Sequence, residues 1–469
     1  MKYLYKDIIL PDWISYRTYF SSHENSRTYI MNERKHSYSQ LDGFSSDFWE
    51  KLASPEEDFY AFLEAKQLTE AADGFLEMLA EQDLIVLNNF TSKSPEIEEA
   101  FDTQDGNEAS RFVEEMNEWL YSNGFMSSIF FELTYRCNLK CIHCYNPKHM
   151  SNVEISFEKA KQIIDEAYEL GCISVTLSGG ESTTYRNFLE LADYIRSKHM
   201  ALEVFTNGQR LAENEDDYRA LVSLYPHKVG ISLYSMDEDH HEKVTSVRGS
   251  YQKSIDVIKR LREDGVLVQI KNFLLGFTCH DCLAVKEFGQ SINAIVTPDI
   301  SLIPTIEGDH KTLQFSLDEE DLFELFSNPE SPLYIGSEPY IFNITEHLDE
   351  SLCFGGFSGI CVAPSLEVHV CTSLPMSLGN LHEESLTKIW VDAGRKQENS
   401  KLYQWRKKTF EDLVDCYKES YCRFCHYCAG MGYLENGYLK KSDVLCKQAK
   451  AKERAYNYLC EKQIIKGNN

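Results

Sequence analysis

Three cysteines stand close together in the segment TYRCNLKCIHCYN. Cys137, Cys141 and Cys144 have the spacing C-x3-C-x2-C. A structural zinc site takes four protein ligands, whereas this loop offers three. A four-iron cluster is usually held by four thiolates, so three would leave one iron with an open position for another ligand. The spacing therefore favours an iron–sulfur centre, and the alternative is a zinc loop completed by His143 or by a distant cysteine.

A second group of eight cysteines lies towards the carboxyl end of the chain. Its members are Cys353, Cys361, Cys371, Cys416, Cys422, Cys425, Cys428 and Cys446. Clustered cysteines in a reducing compartment are metal ligands more often than disulfides. Eight thiolates match the needs of two four-iron clusters, and two zinc sites are the alternative.

Four further cysteines lie outside these groups. The pair Cys279-x2-Cys282 has no partner pair in the sequence, which favours non-ligands. Cys172 precedes an apolar stretch, so we expect it in the core. Cys460 lies beyond the last motif and receives no role.

These side chains need a scaffold, and the chain between residues 128 and 303 supplies a repeating one. Short apolar runs alternate there with amphipathic stretches such as Phe157–Leu170. The expected strands are Ser128–Leu133, Ile173–Leu177, Leu202–Phe205, Val229–Leu233, Val266–Phe273 and Ile295–Ile303. Strand–helix repeats indicate a parallel sheet because parallel neighbours need crossover connections. Six units are two short of a closed eightfold barrel, which predicts an open, curved barrel with ligands at the carboxyl ends of its strands.

Polar motifs follow three of these strands. The second strand runs into LSGGEST, the third into FTNGQRL, and the fourth into GISLYSMDEDHHEKVTSVRGSYQKSI. Glycine lets the backbone approach a ligand closely, and each motif is expected at the ligand-binding edge of the sheet. With the cysteine triplet, these segments resemble the radical S-adenosylmethionine (SAM) enzymes, whose fold is a partial (βα)6 barrel.

The resemblance implies how such a site would work. The open iron would be chelated by the amino and carboxylate groups of SAM, and one electron would release a 5′-deoxyadenosyl radical. Cys137, Cys141 and Cys144 would be the catalytic cluster ligands. The cofactor-binding residues would be Gly179, Gly180, Glu181, Thr206, Asn207, Ser232 and Arg248. Arg248 would pair with the SAM carboxylate, and Tyr234 stands where the family usually has aspartate.

The segments CFGGFSGICVAPSLEVHVCTSLPMSLGNL and CYKESYCRFCHYCAG resemble the SPASM extension of peptide-modifying radical SAM enzymes. By that family's interleaved arrangement, one cluster would take Cys353, Cys361, Cys371 and Cys428, and the other would take Cys416, Cys422, Cys425 and Cys446. Two departures leave the division open: Leu366 stands where glycine is usual, and the second group is spaced C-x5-C-x2-C-x2-C. Regular periodicity weakens from about Leu352, so metal rather than a large apolar core is expected to hold this part together.

The first 90 residues predict a small winged α+β domain. Apolar and aromatic runs indicate strands at Ile14–Phe20, Arg27–Asn32 and Tyr38–Leu41, and helical spacing begins at Phe44. The stretch NERKHSYSQLDGFSSDFWEKL resembles the leader-recognition element of enzymes that mature ribosomal peptides. That resemblance implies that a precursor leader adds as a strand near Tyr38–Leu41, beside a helix at Thr69–Glu81. A degenerate structural domain is the alternative.

The acidic balance of the chain, 74 Asp and Glu against 47 Lys and Arg, argues against some partners. Non-specific nucleic-acid binding and attraction to anionic lipid both depend on Lys and Arg. No apolar run approaches the ~18 residues of a membrane span, and the amino terminus lacks the unbroken apolar stretch of a signal peptide. We therefore expect a cytoplasmic protein with no nucleic-acid or membrane partner.

The predicted fold class is α/β, with three folding units at about 150 residues per domain. We expect a leader-recognition domain at residues 1–90 and an acidic linker with a lead-in helix at 91–125. A radical SAM partial barrel is expected at 126–330, and a cysteine-rich SPASM domain at 331–469.

Together these features predict a radical SAM enzyme that modifies a ribosomally made precursor peptide, with a thioether from a cysteine sulfur to carbon as the preferred linkage. Alternatives within the class are a carbon–carbon or ether crosslink, an epimerised residue and formylglycine. The alternative of another class is a metal-stabilised peptide-binding scaffold without turnover. The expected cofactors are SAM and three [4Fe–4S] clusters, one SAM-binding and two auxiliary. The expected partners are the precursor, bound through its leader, and a low-potential electron donor such as flavodoxin or ferredoxin.

Overall fold

The computed structural model describes most of the chain. The described residues are 2–20, 26–68, 71–88, 90, 106–146, 148, 151–337, 339 and 341–465. The predicted acidic linker, up to residue 105, and the predicted helix start at Thr69 lie outside them. Within these ranges, no helix combines the length and the apolar character that crossing a membrane requires.

The amino-terminal unit places an antiparallel sheet against helices. Its elements are strands β1 (Ile8–Ile9), β2 (Ile14–Tyr19), β3 (Arg27–Asn32), β4 (Ser37–Asp42) and β5 (Val86–Leu87) and helices α1 (Phe44–Leu52), α2 (Glu56–Ala65) and α3 (Ala72–Glu81). Strands β2, β3 and β4 are neighbours in that order, and β1 pairs with β5. Apolar side chains from both layers, among them Ile30, Trp49 and Leu76, share one buried core. This is the strands-then-helices order that the sequence predicts.

Strand β4 is the edge of the three-stranded sheet. One side of its backbone pairs with β3, from Asp42 opposite Arg27 to Ser37 opposite Asn32. The helices that contact β4 most extensively are α1 and helix α4 (Gly106–Ser122), whereas α3 contacts β5. The edge strand is thus present where the sequence predicts it, but α3 is not its main helical neighbour.

Six parallel strands build the partial barrel that the sequence predicts. They are β6 (Ser128–Glu132), β7 (Ser174–Ser178), β8 (Ala201–Thr206), β9 (Lys228–Ser232), β10 (Val268–Phe273) and β11 (Ile295–Asp299). The helices between and after them are α5 (Phe157–Glu169), α6 (Phe188–Ser197), α7 (Gln209–Glu213), α8 (Glu215–Ser223), α9 (Glu238–Thr245), α10 (Ser250–Glu263) and α11 (Cys282–Ser291). Helix α5 shows why these segments are helical: Ser156 caps its first turn, and its apolar stripe, including Ile163 and Ile164, is fully buried.

The sheet does not end with the barrel. Three more strands extend it, β12 (Gly359–Val362), β13 (Glu367–Cys371) and β14 (Leu374–Asn380). Strand β12 runs parallel to β6, and the complete order is β11-β10-β9-β8-β7-β6-β12-β13-β14. The remaining helices are α12 (Glu319–Ser327), α13 (Leu386–Gly394), α14 (Lys401–Arg406), α15 (Ala429–Asn436) and α16 (Asp443–Glu461).

The carboxyl-terminal region shares the apolar core of the barrel. Val362 and Val368 on the added strands and Ile389 and Trp390 on α13 are buried in one cluster with barrel residues such as Phe131. The expectation that metal rather than a large apolar core holds this region together was therefore wrong. Each of these short strands has only two or three side chains that face the core. Such a short alternation of apolar and polar residues is not recognisable as a periodic pattern in the sequence.

A buried ionic network joins the amino-terminal unit to the barrel. The Glu33 carboxylate lies 2.6 Å from Nδ1 of His227 and 3.7 Å from Nη1 of Arg196, and it accepts a hydrogen bond from Ser15. Burial opposes a charged imidazole, but contact with Glu33 outweighs it and raises the pKa of His227. Tyr38 on β4 completes the network, because its hydroxyl lies 3.2 Å from Nε2 of His227. The edge strand is therefore linked to the barrel.

Candidate active site

A cavity of about 920 Å³ lies at the carboxyl ends of the barrel strands. Cys137, Cys141 and Cys144 all line it. The predicted cofactor-binding residues that also line it are Gly179, Gly180, Glu181, Thr206, Asn207 and Ser232. The structure thus brings together, at the edge where ligands of parallel sheets collect, residues that are far apart in the sequence.

The two glycines after β7 hold the start of the cysteine loop. The Gly180 amide donates to the Thr134 carbonyl at 2.7 Å, and the Glu181 amide donates to the Arg136 carbonyl at 2.9 Å. A Cβ at Gly180 would lie 2.3 Å from the Tyr135 carbonyl oxygen. Gly179 has a φ of 134°, a conformation that side chains disfavour. Glycine is needed here because the backbone of the cysteine loop lies directly against this turn.

The Glu181 carboxylate joins the ends of β7 and β8. It is 2% exposed. One oxygen accepts from the Thr183 amide at 3.1 Å and from the Thr183 and Thr206 hydroxyls at 2.6 Å each, and the other accepts from the Asn207 amide at 2.7 Å. Burial raises the pKa of Glu181, and these donors oppose that shift. Both oxygens accept hydrogen bonds within the protein, so Glu181 orients the two motifs, and its contact with SAM stays a prediction.

The thiols of the triplet are partly buried in the wall of the cavity. Burial raises the pKa of Cys137 to about 12 and raises the pKa values of Cys141 and Cys144 as well. The amide nitrogen Nδ2 of Asn207 lies 3.8 Å from Cys137 Sγ, and the Tyr234 hydroxyl lies 3.8 Å from Cys141 Sγ. Thiols this basic become ligands by exchanging a proton for a metal ion, which couples metal binding to proton release.

The arrangement of these thiols does not match a closed zinc site. Sulfur atoms bound to one tetrahedral zinc at about 2.3 Å lie about 3.8 Å apart. Among the described residues, Cys137, Cys141 and Cys144 do not form a set whose sulfur atoms all lie within 4.8 Å of one another. A larger group with more widely spaced ligands, such as a four-iron cluster, fits three thiols that border a cavity.

His143 packs against two aromatic rings, and its buried Nδ1 makes no hydrogen bond to the described residues. Its ring lies nearly parallel to that of Phe273 at a centroid distance of 5.1 Å, and 5.0 Å from the ring of Tyr234. Burial lowers the pKa of His143 to about 4, so the ring is neutral. His143 and Tyr234 both line the cavity. The sequence named His143 only as a ligand of the alternative zinc loop and gave Tyr234 no role. Tyr234 lies two residues after the motif strand β9, which is a signal that could have pointed to it.

Arg248 is placed differently from the other predicted cofactor residues. It is exposed and is not among the residues that line the cavity, so its pairing with a SAM carboxylate stays a prediction. Lys271, which sequence reasoning missed, does line the cavity and lies in register beside Ser232. Its ammonium sits 3.5 Å from the centre of the Phe205 ring. Burial lowers the pKa of Lys271 to about 8. The alternation of β10 could have indicated it, because every second residue of a barrel strand faces the interior.

The eight carboxyl-terminal cysteines separate into two groups. Burial, with proximity to Cys428, raises the pKa of Cys353 and raises that of Cys371 to about 11. Burial and proximity to Glu132 and Cys371 raise the pKa of Cys361. The second group is Cys416, Cys422, Cys425 and Cys446. Burial and the neighbouring thiols of this group raise the pKa values of Cys416, Cys425 and Cys446. This grouping parallels the predicted division, and ligation by these residues stays a prediction.

Leu366 occupies the position where glycine is usual in the resembling family. Its backbone has a φ of 65°, in the left-handed region, which costs a residue with a side chain about 1–2 kcal/mol. The side chain is 6% exposed and belongs to the shared core. Burial of a leucine contributes about 1.5–3 kcal/mol, which offsets the backbone cost. The departure from the pattern therefore leaves the turn before Cys371 intact.

Two domain families and several known proteins match this chain. The radical SAM superfamily profile matches residues 131–279, and the SPASM profile, described as an iron–sulfur cluster-binding domain, matches residues 353–429. The antilisterial bacteriocin subtilosin biosynthesis protein AlbA of Bacillus subtilis is 28% identical over 347 residues, covering 68% of this chain and 70% of AlbA. An AdoMet-dependent heme synthase of Methanosarcina barkeri is 24% identical over 342 residues, covering 68% of this chain and 95% of that protein.

Solved structures share the fold. Streptococcus suis SuiB bound to its precursor peptide SuiA superimposes with a TM-score of 0.53 at 16% identity, covering 93% of this chain and 99% of that one. The enzyme anSMEcpe with bound AdoMet also gives a TM-score of 0.53 at 16% identity, covering 72% of this chain and 95% of that one. Radical SAM domains bind SAM and a [4Fe–4S] cluster, and SPASM domains bind auxiliary iron–sulfur clusters. The chain thus carries a radical SAM domain at residues 131–279 and an SPASM domain at residues 353–429.

Proposed function

We propose that the protein is a maturase that forms a thioether crosslink in a ribosomally made precursor peptide. The observation that carries this proposal is one cavity with two kinds of cysteine in its wall. Cys137, Cys141 and Cys144 line it together with Cys428 from the carboxyl-terminal groups. A substrate segment in this cavity would lie between a radical-generating site and an auxiliary redox site. The resemblance to AlbA, a bacteriocin biosynthesis protein, agrees with a peptide substrate.

The residues around the triplet would prepare the radical chemistry. Cys137, Cys141 and Cys144 would hold a [4Fe–4S] cluster that, with SAM, supplies a 5′-deoxyadenosyl radical when both are bound. Glu181 fixes the ends of β7 and β8, which places Thr206 and Asn207 in the cavity wall. Apolar side chains in that wall, among them Phe130, Phe205 and Leu302, would limit the access of water to a radical.

The proposed crosslink balances in atoms and electrons. The substrate carbon gives one hydrogen atom to the adenosyl radical, and 5′-deoxyadenosine leaves. The cysteine sulfur then bonds to that carbon, and its proton goes to solvent while one electron must be accepted. Cys353, Cys361, Cys371 and Cys428 would hold one auxiliary cluster, and Cys416, Cys422, Cys425 and Cys446 the other. Four cysteines for each group favour electron transfer over direct binding of the substrate thiolate.

The amino-terminal unit would bind the leader of the precursor. Strand β4 offers an unpaired backbone edge in the described sheet, and an added peptide strand would gain main-chain hydrogen bonds there. We propose the domain division 1–90, 91–125, 126–330 and 331–469, with the first unit for leader recognition. A flavodoxin or ferredoxin would supply the electron that starts each turnover. Clustered reduced cysteines favour a cytoplasmic location.

The deciding experiment uses the anaerobically purified protein with SAM, a reductant and candidate precursors encoded by short neighbouring reading frames. We expect 5′-deoxyadenosine and a peptide that has lost two hydrogen atoms and one alkylatable cysteine. Tandem mass spectrometry would locate the sulfur–carbon bond. A precursor that is modified without involvement of cysteine would overturn the thioether assignment. No 5′-deoxyadenosine with any precursor would leave only a binding scaffold.

A further inference from the structure

A cluster of potential metal ligands lies outside the cavity, on the loop that follows β10. Cys279 and His280 begin a short 3-10 helix, Cys279–Asp281, and Asp321 stands in the first turn of α12. The Sγ atom of Cys279, a ring nitrogen of His280 and a carboxylate oxygen of Asp321 all lie within 4.8 Å of one another. Among the residues that the structure describes, these three are the group of potential metal ligands whose atoms all lie within that distance.

The distances suit a small divalent ion. Nε2 of His280 lies 3.6 Å from Oδ1 of Asp321. A nitrogen and an oxygen ligand bound to one tetrahedral zinc at about 2.0–2.2 Å lie about 3.3–3.6 Å apart. A thiolate, an imidazole and a carboxylate are a zinc-type set, whereas calcium and magnesium take oxygen ligands.

We propose that Cys279, His280 and Asp321 bind one Zn²⁺ ion, with the fourth coordination position taken by water. The site would tie the barrel to the carboxyl-terminal region. Helix α12 packs along α16, and Glu320 on α12 accepts two hydrogen bonds from Arg454 on α16, at 2.7 and 3.0 Å. Zinc would fix the loop after β10 to this helix pair, which carries Cys446 at its amino-terminal end.

The Cys279 thiol donates to the Gly276 carbonyl at 3.4 Å, and zinc bound to the thiolate would replace that hydrogen bond. One carboxylate oxygen of Asp321 accepts from the Asp318 amide at the start of α12, and the other oxygen faces His280. Cys279 is fully buried, whereas the His280 side chain is 64% exposed, which gives an ion a path from solvent. Burial, with the charge of Asp321, raises the pKa of the Cys279 thiol to about 12. Zinc would displace the thiol proton to solvent and balance the charge of the Asp321 carboxylate. One ion would thereby bind both the Cys279 thiolate and the Asp321 carboxylate.

Cys282 provides a matched control within the same segment. It is also buried, at 2% exposure, and begins α11 three residues after Cys279. Its Sγ does not belong to the group of mutually close ligand atoms. A variant at Cys282 therefore removes a buried thiol three residues from Cys279 without removing a proposed ligand.

The test measures zinc in the full chain purified anaerobically with its iron–sulfur clusters in place. We expect one zinc per chain, with zinc-edge X-ray absorption giving one sulfur at about 2.3 Å and three nitrogen or oxygen ligands at about 2.0–2.2 Å. His280→Ala and Asp321→Asn should weaken zinc binding at least about tenfold in competition with a chelator, and Cys282→Ser should leave it unchanged. Cys279→Ser should also lose zinc. If Cys279→Ser does not fold, His280→Ala decides the matter, because His280 is exposed.

Three outcomes would overturn the proposal. The first is the absence of bound zinc when zinc is supplied, which would leave a His280–Asp321 ion pair beside a core cysteine. The second is zinc surrounded by four sulfurs, which would be a misloaded iron–sulfur site. The third is unchanged affinity in His280→Ala. Because the readout is bound zinc rather than product, the result does not depend on which peptide the enzyme modifies.

Discussion

The cysteine triplet and the eight carboxyl-terminal cysteines both offer thiols to metal, but the fold holds them differently. The triplet lies on a loop whose start is fixed by backbone hydrogen bonds to Gly180 and Glu181. The eight cysteines come from strands, short helices and helix starts, such as β13 and α16, that are built on apolar cores. The position of the triplet depends on a close contact between a turn and a loop, whereas the positions of the eight cysteines depend on apolar packing.

The number of thiols separates the two regions as well. Three thiols border the cavity as a set, whereas the eight are predicted to form two sets of four, of which Cys428 lines the cavity wall. A set of three leaves a coordination position for a cofactor, and sets of four do not. We therefore propose that the bond-breaking step belongs to the triplet and that electron handling belongs to the other groups. The following substitutions test that division.

The largest effect is expected from Cys141→Ala. Loss of one of three ligands should release the SAM-binding cluster, so iron should fall by about four atoms per chain. Formation of 5′-deoxyadenosine, measured by liquid chromatography, should fall to background. Cys172→Ser, which changes a buried core thiol, should retain full activity and iron content. Cleavage of SAM by Cys141→Ala would contradict the role of the triplet.

Cys425→Ala should separate the two regions. Iron should again fall by about four atoms per chain because the second group of four loses a ligand. We expect SAM cleavage to continue while crosslinked peptide, measured by mass spectrometry, falls at least about tenfold, since the surplus electron lacks its acceptor. Equal losses of 5′-deoxyadenosine and product would show that the regions do not divide the work as proposed.

Gly180→Ala tests the turn that holds the triplet. The added Cβ would lie 2.3 Å from the Tyr135 carbonyl oxygen and 2.5 Å from that of Arg136, so the loop must shift. We expect SAM affinity, measured by equilibrium dialysis on the reconstituted protein, to fall about 10- to 100-fold. Gly394→Ala, where nothing lies within 4 Å of the new Cβ, is the matched control. Equal affinities in the two variants would mean that the close contact is not required.

Tyr234→Phe should give the smallest effect. It removes the hydroxyl that lies 3.8 Å from Cys141 Sγ and keeps the ring. Hydrogen bonds to cluster sulfurs raise the reduction potential, so the potential of the SAM-binding cluster should become more negative by about tens of millivolts. Redox titration followed by electron paramagnetic resonance measures this shift. The potentials of the auxiliary clusters should not move, and a shift confined to them would reverse the assignment of Tyr234.

Local spacing made much of the site predictable. The C-x3-C-x2-C triplet and the GGE motif each lie within a few residues, and strand–helix alternation predicts that both reach one edge of the sheet. The family comparisons and the fold confirm the partial barrel and its SPASM extension. The buried apolar side of β12 and β13 escaped prediction because strands of four or five residues carry too little pattern.

Features that depend on distant segments were not predictable. Cys279-x2-Cys282 lacks a partner pair in the sequence, and only the fold brings Asp321 of α12 beside Cys279 and His280. Lys271 carries no motif; the alternation of β10 could indicate its inward position, but its place beside Ser232 follows from the register of β10 with β9. Arg248 belongs to a motif that the family resemblance tied to SAM, yet the chain between α9 and α10 leaves it exposed. Sequence spacing reports local geometry, whereas these placements arise from tertiary packing.

The most direct test of the account uses SAM labelled with ¹⁵N in its amino group and ¹³C in its carboxylate. Electron–nuclear double resonance on the reduced protein should detect coupling of both labels to the cluster held by Cys137, Cys141 and Cys144, and Cys141→Ala should abolish it. A reduced cluster at these cysteines that shows no coupling to either label would contradict the open iron position on which the proposed chemistry depends.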